Sequence, residues 1–279
     1  QYVRAVRRDR EAESAQVRQR AFGFVRRVAV GDEEDRHTAL GHCLRELDGT
    51  PDKSHLGANS LLAVSLAFAH AQALEARVPL YQQFATLLGE SPRHLPRLTI
   101  NLFSGGKHAG GQNAIQDVLI VPMAASINQS LAVAYDVYQT AAELIGTKYD
   151  ARPLKADEGG LAPPFPDTEM MFRDAVEAIL SAGYQPGKEV SLAVDVASSH
   201  FYHDGLYDID GQALSSDQMI DRLLQWIDSY PIISVEDGLA EEDWPSWEKF
   251  RSRAGDRVLI LGDDLLCTNP ARIQKAIDL

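Results

Sequence analysis

Carboxylates stand at the ends of short apolar runs in the second half of the sequence. They are Asp157 and Glu158, Asp195, Glu236 and Asp237, and Asp263 and Asp264. Buried carboxylates are costly unless they take up protons or share a cation, and oxygen donors alone favour Mg²⁺ or Mn²⁺ over zinc. The set therefore indicates a divalent cation site, although any one of these acids by itself also fits a helix cap or a solvated loop.

Six apolar runs after Pro96 predict the strands that position these acids. The runs cover residues 98–103, 117–122, 152–156, 191–197, 232–237 and 258–264, with helical stretches near 124–146, 167–182, 215–229, 243–253 and from 270 onward. Continuous apolar strands that alternate with helices indicate an α/β fold with a parallel sheet. The first two runs are separated only by a polar loop and are expected to pair antiparallel. Because carboxyl ends of barrel strands converge on one face, the acids are expected to meet there.

Charge and cysteine content disfavour several classes of partner and of fold. The chain has 27 basic and 40 acidic residues, a net charge of −13, and two cysteines far apart in sequence. This balance disfavours nucleic acids and anionic membranes as partners, and the cysteine spacing disfavours a disulfide scaffold or a zinc site. Apolar runs are too short for a membrane span. We therefore expect a cytoplasmic protein.

Upstream, residues 57–88 predict one or two packed helices broken at Pro79. The Arg-rich residues 1–36 give no clear period and are interpreted as a solvated helix face.

Several segments in order resemble one family, the enolases. They are LRELDGTPDKSHLGANSLLAVSLAFAHA, SGGKHAGGQNAIQDVLIVP, KADEGGLAP, AVDVASSHFY followed by GLYDID, SVEDGLAEEDW and LGDDLLCTNPARI. The resemblance implies an enolase-type ββαα(βα)6 barrel, incomplete within these 279 residues, after a partial N-terminal α+β domain. It places the partial N-terminal domain at residues 1–92, as a helical remnant, and the partial barrel domain at 93–279.

The same resemblance implies Mg²⁺-dependent dehydration of 2-phosphoglycerate to phosphoenolpyruvate, usually by a homodimer. It assigns Asp195, Glu236 and Asp263 as magnesium ligands and Glu158 as the general acid. The substrate contacts that it implies are His108 on a mobile loop, Gln116, Asp117, Glu158 and Asp263. Asp157, Asp237 and Asp264 are then expected to be structural or to support the ligands. The enolase superfamily is a standard example of a Lys or His base acting with one or two Mg²⁺ ions.

The sequence also departs from the family pattern. Asp117 stands where the family has a glutamate, and a displacement of about 1 Å at a reacting group can cost roughly 100-fold in rate. The family's catalytic lysine is expected beyond Leu279, and residues 1–36 contain no match to its serine loop. Both ends of the sequence are interpreted as cut, and six strands alone are expected to leave a barrel open.

Two other functions stay open at the level of sequence. The missing lysine and Asp117 also fit a non-catalytic, enolase-like binding or scaffold protein. A lyase or racemase acting on a different carboxylate is a third possibility, which the DEGG acid and the GKHAGG loop disfavour.

Overall fold

The structure, a computed structural model, describes residues 33–279. The interpretation of residues 1–36 as a solvated helix face therefore lies almost entirely outside the described residues. Contacts divide the chain into two compact units, with the boundary between Leu95 and Pro96. The domain division after residue 92 stays a prediction, because compactness alone does not define a family domain.

The first unit contains helices. They are α1 (Glu33–Asp48), α2 (Ala58–Ala76) and α3 (Leu80–Leu87). The predicted break at Pro79 is confirmed: this residue has φ −64° and ψ 152° and stands at the N-cap of α3, where a proline's fixed φ and missing N–H are tolerated. In the described part of the chain no single helix has the length and apolar character to cross a membrane, and only α2 and α3 together, bent by 98°, meet that criterion.

The second unit is built on strands whose ends carry the candidate acids. The strands are β1 (Ile100–Ser104), β2 (Asp117–Pro122), β3 (Val190–Asp195), β4 (Tyr202–His203), β5 (Leu206–Ile209), β6 (Gln212–Leu214), β7 (Ile232–Glu236) and β8 (Leu259–Leu261). Within the described residues the main sheet has the order β1-β2-β3-β7-β8. The predicted antiparallel pairing of β1 with β2 is confirmed, β2 also runs antiparallel to β3, and β3, β7 and β8 are parallel.

Helices flank this sheet where the sequence predicts them. They are α4 (Ile127–Tyr149), α5 (Thr168–Ser181), α6 (Ser216–Ser229), α7 (Trp244–Ala254) and α8 (Pro270–Asp278). Four of them begin with a side chain that accepts a hydrogen bond from a backbone N–H of the first turn, which satisfies a donor without a partner inside the helix. These caps are Ser126, Asp167, Ser215 and Asn269. The order of two strands, two helices and then strand–helix units agrees with the expected ββαα(βα) pattern.

The prediction of a strand at residues 152–156 is wrong. This segment contributes only an isolated bridge between Lys155 and Leu161, and Leu161 in turn bridges Phe103 of β1. The reason is local, because the chain turns back at once and the side chain of Leu154 is 67% exposed, so the run lacks the buried residues that hold a central strand. Over residues 33–279 the main sheet accordingly has five strands rather than six and is open, with β1 and β8 as its outer strands.

A small antiparallel sheet of β4, β5 and β6 follows β3 and was not expected from the sequence. Its central residue Tyr207 is fully buried. The Tyr207 hydroxyl donates to Asp243 Oδ2 at 2.9 Å and accepts from the Ala240 N–H at 3.0 Å. The small sheet therefore stabilises the loop that follows β7, one of the loops beside the candidate acids.

Candidate active site

Three carboxylates lie in a row across neighbouring strand ends. Asp117, the first residue of β2, pairs in register with Asp195, the last residue of β3. Asp195 pairs in register with Glu236, the last residue of β7. Because adjacent strands lie about 4.8 Å apart, the antiparallel start of β2 and the parallel ends of β3 and β7 bring all three acids to one edge of the sheet.

Burial and mutual repulsion shift the protonation of these acids. Desolvation is the largest effect and, with the charges of Glu236, Asp237 and Asp117, it raises the pKa of Asp195 to about 8. Desolvation also raises the pKa of Glu236 to about 6, and the added causes are again nearby carboxylates. A cation placed among them would remove the repulsion that favours the protonated forms.

Carboxylate oxygens of Asp195, Glu236 and Asp237 lie within 4.8 Å of one another, close enough to share one metal ion. Asp237 is already engaged elsewhere, because its carboxylate accepts hydrogen bonds from the backbone N–H groups of Asp263, Asp264 and Leu265 at 3.1, 2.8 and 3.2 Å. These bonds support the expectation that Asp237 is structural. Asp263 does not belong to this close group, but it lies near enough to contribute to the raised pKa of Glu236.

Hydrogen bonds fix the orientation of the Asp195 carboxylate. Gln116 donates from Nε2 to Asp195 Oδ2 at 3.0 Å, and the Ala197 N–H donates to Oδ1 at 3.1 Å. The Gln116 N–H also bonds to the Asp195 carbonyl at 3.2 Å. Each carboxylate oxygen has two lone pairs, so this arrangement orients Asp195 and leaves acceptor capacity for a cation.

Asp117 is held in a different way, since it is only 1% exposed. Ser104, at the end of β1, donates its hydroxyl to Asp117 Oδ1. The second oxygen, Oδ2, is buried and has no hydrogen-bond partner among the described residues. Burial raises the pKa of Asp117 to about 6, with a further increase from Glu158, while the bond from Ser104 and the proximity of His108 act in the opposite direction.

Glu158 and His108 lie close to each other, and the charges of both act on Asp117. His108 Nδ1 lies 4.0 Å from Glu158 Oε1 and 3.9 Å from Asp157 Oδ2. Asn101 donates from Nδ2 to Glu158 Oε2 at 3.1 Å, which restrains a side chain that is 47% exposed. Asp157 is 83% exposed and is therefore mostly in solvent. The partly covered Glu158 has the better environment for contact with a bound molecule.

The two glycines after Glu158 are required for different reasons, which are close packing at Gly160 and backbone conformation at Gly159. A Cβ atom on Gly160 would lie 2.1 Å from Ser104 Oγ, which is far inside van der Waals contact. Gly159 has φ +89°, in the region that favours glycine, and its carbonyl accepts from the Tyr138 hydroxyl at 2.7 Å. The turn thus brings the acid segment against β1, where Ser104 bonds to Asp117.

Two residues of this site were not singled out from the sequence. Ser104 and Asn101 are both on β1, and their side chains bond to Asp117 and Glu158. A weak signal exists for Ser104, because it directly follows the apolar run at 98–103, which the sequence predicts to pair with the run that begins at Asp117. Nothing in the sequence pointed to Asn101, since its partner is 57 residues away.

Comparison with family models gives two matches along the chain. The family described as "Enolase, C-terminal TIM barrel domain" matches residues 92–279. The family described as "Enolase, N-terminal domain" matches residues 15–84. The first match covers more than half of the chain and contains every candidate site residue described above.

Proposed function

Because the chain belongs to the enolase family, whose domains are those of phosphopyruvate hydratase, a lyase, we propose that it dehydrates 2-phosphoglycerate to phosphoenolpyruvate with Mg²⁺. The observation that carries this proposal is the pair Asp195 and Glu236, whose oxygens lie within 4.8 Å of each other at adjacent strand ends. We assign Asp195, Glu236 and Asp263 as the residues that hold Mg²⁺.

The residues present fit such an ion. Asp195 and Glu236 offer oxygen donors of the kind that Mg²⁺ prefers, and their raised pKa values come from burial and from other carboxylates. Asp237 holds the turn that carries Asp263, and the two strand ends hold Asp195 and Glu236. When bound, Mg²⁺ supplies positive charge that stabilises the additional negative charge developing on the substrate carboxylate.

Dehydration also needs a base that takes the proton from the carbon next to the substrate carboxylate, a role that the family resemblance gives to a lysine outside residues 1–279. We propose Glu158 as the general acid. Loss of hydroxide from carbon is difficult unless the leaving group receives a proton, and a positioned carboxyl group typically contributes about 10²- to 10⁴-fold. The bond from Asn101 orients the Glu158 carboxylate, and its partial exposure gives a substrate access to it. Microscopic reversibility requires the same group to remove that proton in the reverse hydration.

The substrate contacts that we propose are His108, Gln116, Asp117, Glu158 and Asp263. Oδ2 of Asp117 supports this assignment, because it has no hydrogen-bond partner among residues 33–279, and a buried polar atom without a protein partner is costly unless a ligand or water satisfies it. His108 lies on the short turn Lys107–Ala109 between glycines, a setting suited to closure over a bound phosphate. We propose a homodimer and a cytoplasmic compartment on the basis of the family.

The test is turnover by the protein at its natural length. Phosphoenolpyruvate formation from 2-phosphoglycerate is followed with Mg²⁺ and again after its removal by a chelator, and Mg²⁺ binding is measured separately by calorimetry. We expect Mg²⁺-dependent turnover. Saturable Mg²⁺ binding without turnover would favour the non-catalytic alternative, and preference for a carboxylate without phosphate would favour another reaction of the superfamily. Light scattering of the same sample tests the dimer.

A further inference from the structure

Arg272, in the first turn of α8, joins the two loops that follow β7 and β8. Its guanidinium donates from Nη2 to the Glu241 carbonyl at 2.6 Å and from Nη1 to Glu242 Oε1 at 2.7 Å. Nε donates to the carbonyl of Leu265 in the other loop. Its planar group also lies over the Trp244 ring, 5.2 Å from the centroid. One side chain, 25% exposed, thus bonds to backbone carbonyls on both loops.

Asp237, in the loop after β7, also bonds to the loop after β8. Leu265 takes part in both sets of bonds, since its N–H donates to Asp237 Oδ1 and its carbonyl accepts from Arg272. An anion and a cation therefore hold the two peptide groups that flank Leu265. The turn between them begins at Asp263, and Asp237 directly follows Glu236.

We propose that Arg272 is a positioning residue that sets the spacing of Glu236 and Asp263 and thereby the affinity of the site for a divalent cation. This inference rests on the proposed function, which assigns those two acids as ligands. Asp237 restrains the Asp263 turn, and Tyr207 of the small sheet restrains the loop residues 239–243, but none of these bonds connects residues 239–243 to the turn. Arg272 couples these residues to the same turn, and its rigid, forked guanidinium can bond to carbonyls in two directions, which a lysine ammonium on a flexible stem does less well.

The experiment compares Arg272→Lys with the unaltered protein by calorimetric titration with Mg²⁺ alone. This substitution retains the positive charge and removes the forked geometry, so a loss of affinity reports on positioning rather than on net charge. Residues that orient metal ligands typically contribute about 10- to 100-fold to metal affinity, and we expect the Mg²⁺ dissociation constant to rise about 10-fold. Thermal unfolding in a chelator is measured in parallel to separate this effect from a loss of stability.

Two variants serve as controls. Glu242→Gln removes the charged partner of Arg272 but leaves the bonds to both carbonyls. Its side chain is 71% exposed, and exposed ion pairs contribute little, so the dissociation constant is expected to stay within about twofold of that of the unaltered protein. Arg253→Lys makes the same substitution at an exposed pair with Asp221 on helices α7 and α6, away from both loops, and should also leave it unchanged.

The outcomes separate this inference from the function on which it rests. No saturable Mg²⁺ binding by the unaltered protein would overturn the proposed site. Normal binding by both the unaltered protein and Arg272→Lys would overturn only the role of Arg272, as would a lower melting temperature with unchanged affinity. If Arg272→Lys does not fold, hydrogen exchange on the unaltered protein decides the matter: Mg²⁺ should slow exchange in the Asp263–Leu265 turn and in the 239–243 loop together, and slowing in the turn alone would contradict the proposal.

Discussion

Gln116 donates a hydrogen bond from its side-chain amide to Asp195, over a distance of 3.0 Å. The two residues also bond through their backbones, because Gln116 directly precedes the strand that pairs with β3. The amide group thus orients one of the proposed magnesium ligands through an atom that carries no charge. A neutral donor does this without competing for the negative charge that binds the cation.

Replacing Gln116 with methionine tests this orientation. Methionine has a similar length and removes the donor, so the backbone pairing is retained while Asp195 Oδ2 loses its protein partner. We expect Mg²⁺ affinity to fall by about 10- to 100-fold, measured by calorimetry. Gln112→Met is a matched control, because in the described part of the chain its amide donates only to the Ala162 and Pro163 carbonyls. Equal effects of the two substitutions would argue against a specific role for Gln116.

The raised pKa values predict how stability depends on pH. In the metal-free protein Asp195 and Glu236 keep their protons up to pH values of about 8 and 6, whereas in the unfolded chain they lose them near 3.8 and 4.5. The stabilisation from these groups is therefore fully present below about pH 4 and is lost as the pH rises through the folded pKa values. Binding of Mg²⁺ requires the ionised forms.

We accordingly expect Mg²⁺ to raise the melting temperature more at pH 8 than at pH 5, and its binding at about pH 6 to release protons. Differential scanning fluorimetry at fixed ionic strength measures the first effect, and calorimetry in buffers of different ionisation enthalpy measures the second. Asp195→Asn should abolish most of the pH dependence of the Mg²⁺ effect. A Mg²⁺ effect of the same size at every pH would contradict the raised pKa values.

Substitution of Glu158 by glutamine should separate catalysis from metal binding. The change removes the proton that the general acid donates, and we expect kcat to fall by about 10²- to 10⁴-fold. Mg²⁺ affinity should change little, because Glu158 bonds to Asn101 and is not one of the three proposed magnesium ligands. The adjacent Asp157→Asn, at a mostly exposed position, is the control and should retain most of the activity. A larger loss in Asp157→Asn would reverse the assignment.

Gly160→Ala should destabilise the protein and lower its activity together. The new methyl group would lie 2.1 Å from Ser104 Oγ, so either the turn or β1 must move, and the bond from Ser104 to Asp117 would be disturbed. Overpacking of this kind typically costs about 1–3 kcal/mol of unfolding free energy. Chemical denaturation measures the loss.

The same substitution at Gly146 is its control. Gly146 lies within α4, and its added Cβ would meet nothing within 4 Å. Alanine is favoured over glycine inside a helix by roughly 0.5–1 kcal/mol, so Gly146→Ala should leave activity unchanged and stabilise the protein. Destabilisation by both variants would indicate that the close approach to Ser104 is not the cause.

The sequence by itself determined the elements with continuous apolar character. The runs of β2, β3 and β7 are buried in the fold, and their continuous apolar character therefore predicts them as strands. The acids at the ends of these runs are then predicted to lie at strand ends, which converge on one face of a barrel. Helices α4 to α8 are predicted from a periodic apolar face, which the fold buries in α4 to α7, and four of the five helices have a capping side chain. The resemblance of the motifs added the family, which the family models confirm.

Only the tertiary structure decided what depends on partners distant in sequence. The segment at 152–156 looked like a strand but turns against Leu161, because it lacks a neighbour that pairs along its length. Asp237 is an acid directly next to Glu236 in the sequence. Its carboxylate nevertheless accepts hydrogen bonds from three backbone N–H groups of the loop that follows β8. The sequence determines that an acid stands at the end of a strand. The contacts across the sheet determine whether that residue faces a ligand or holds a turn.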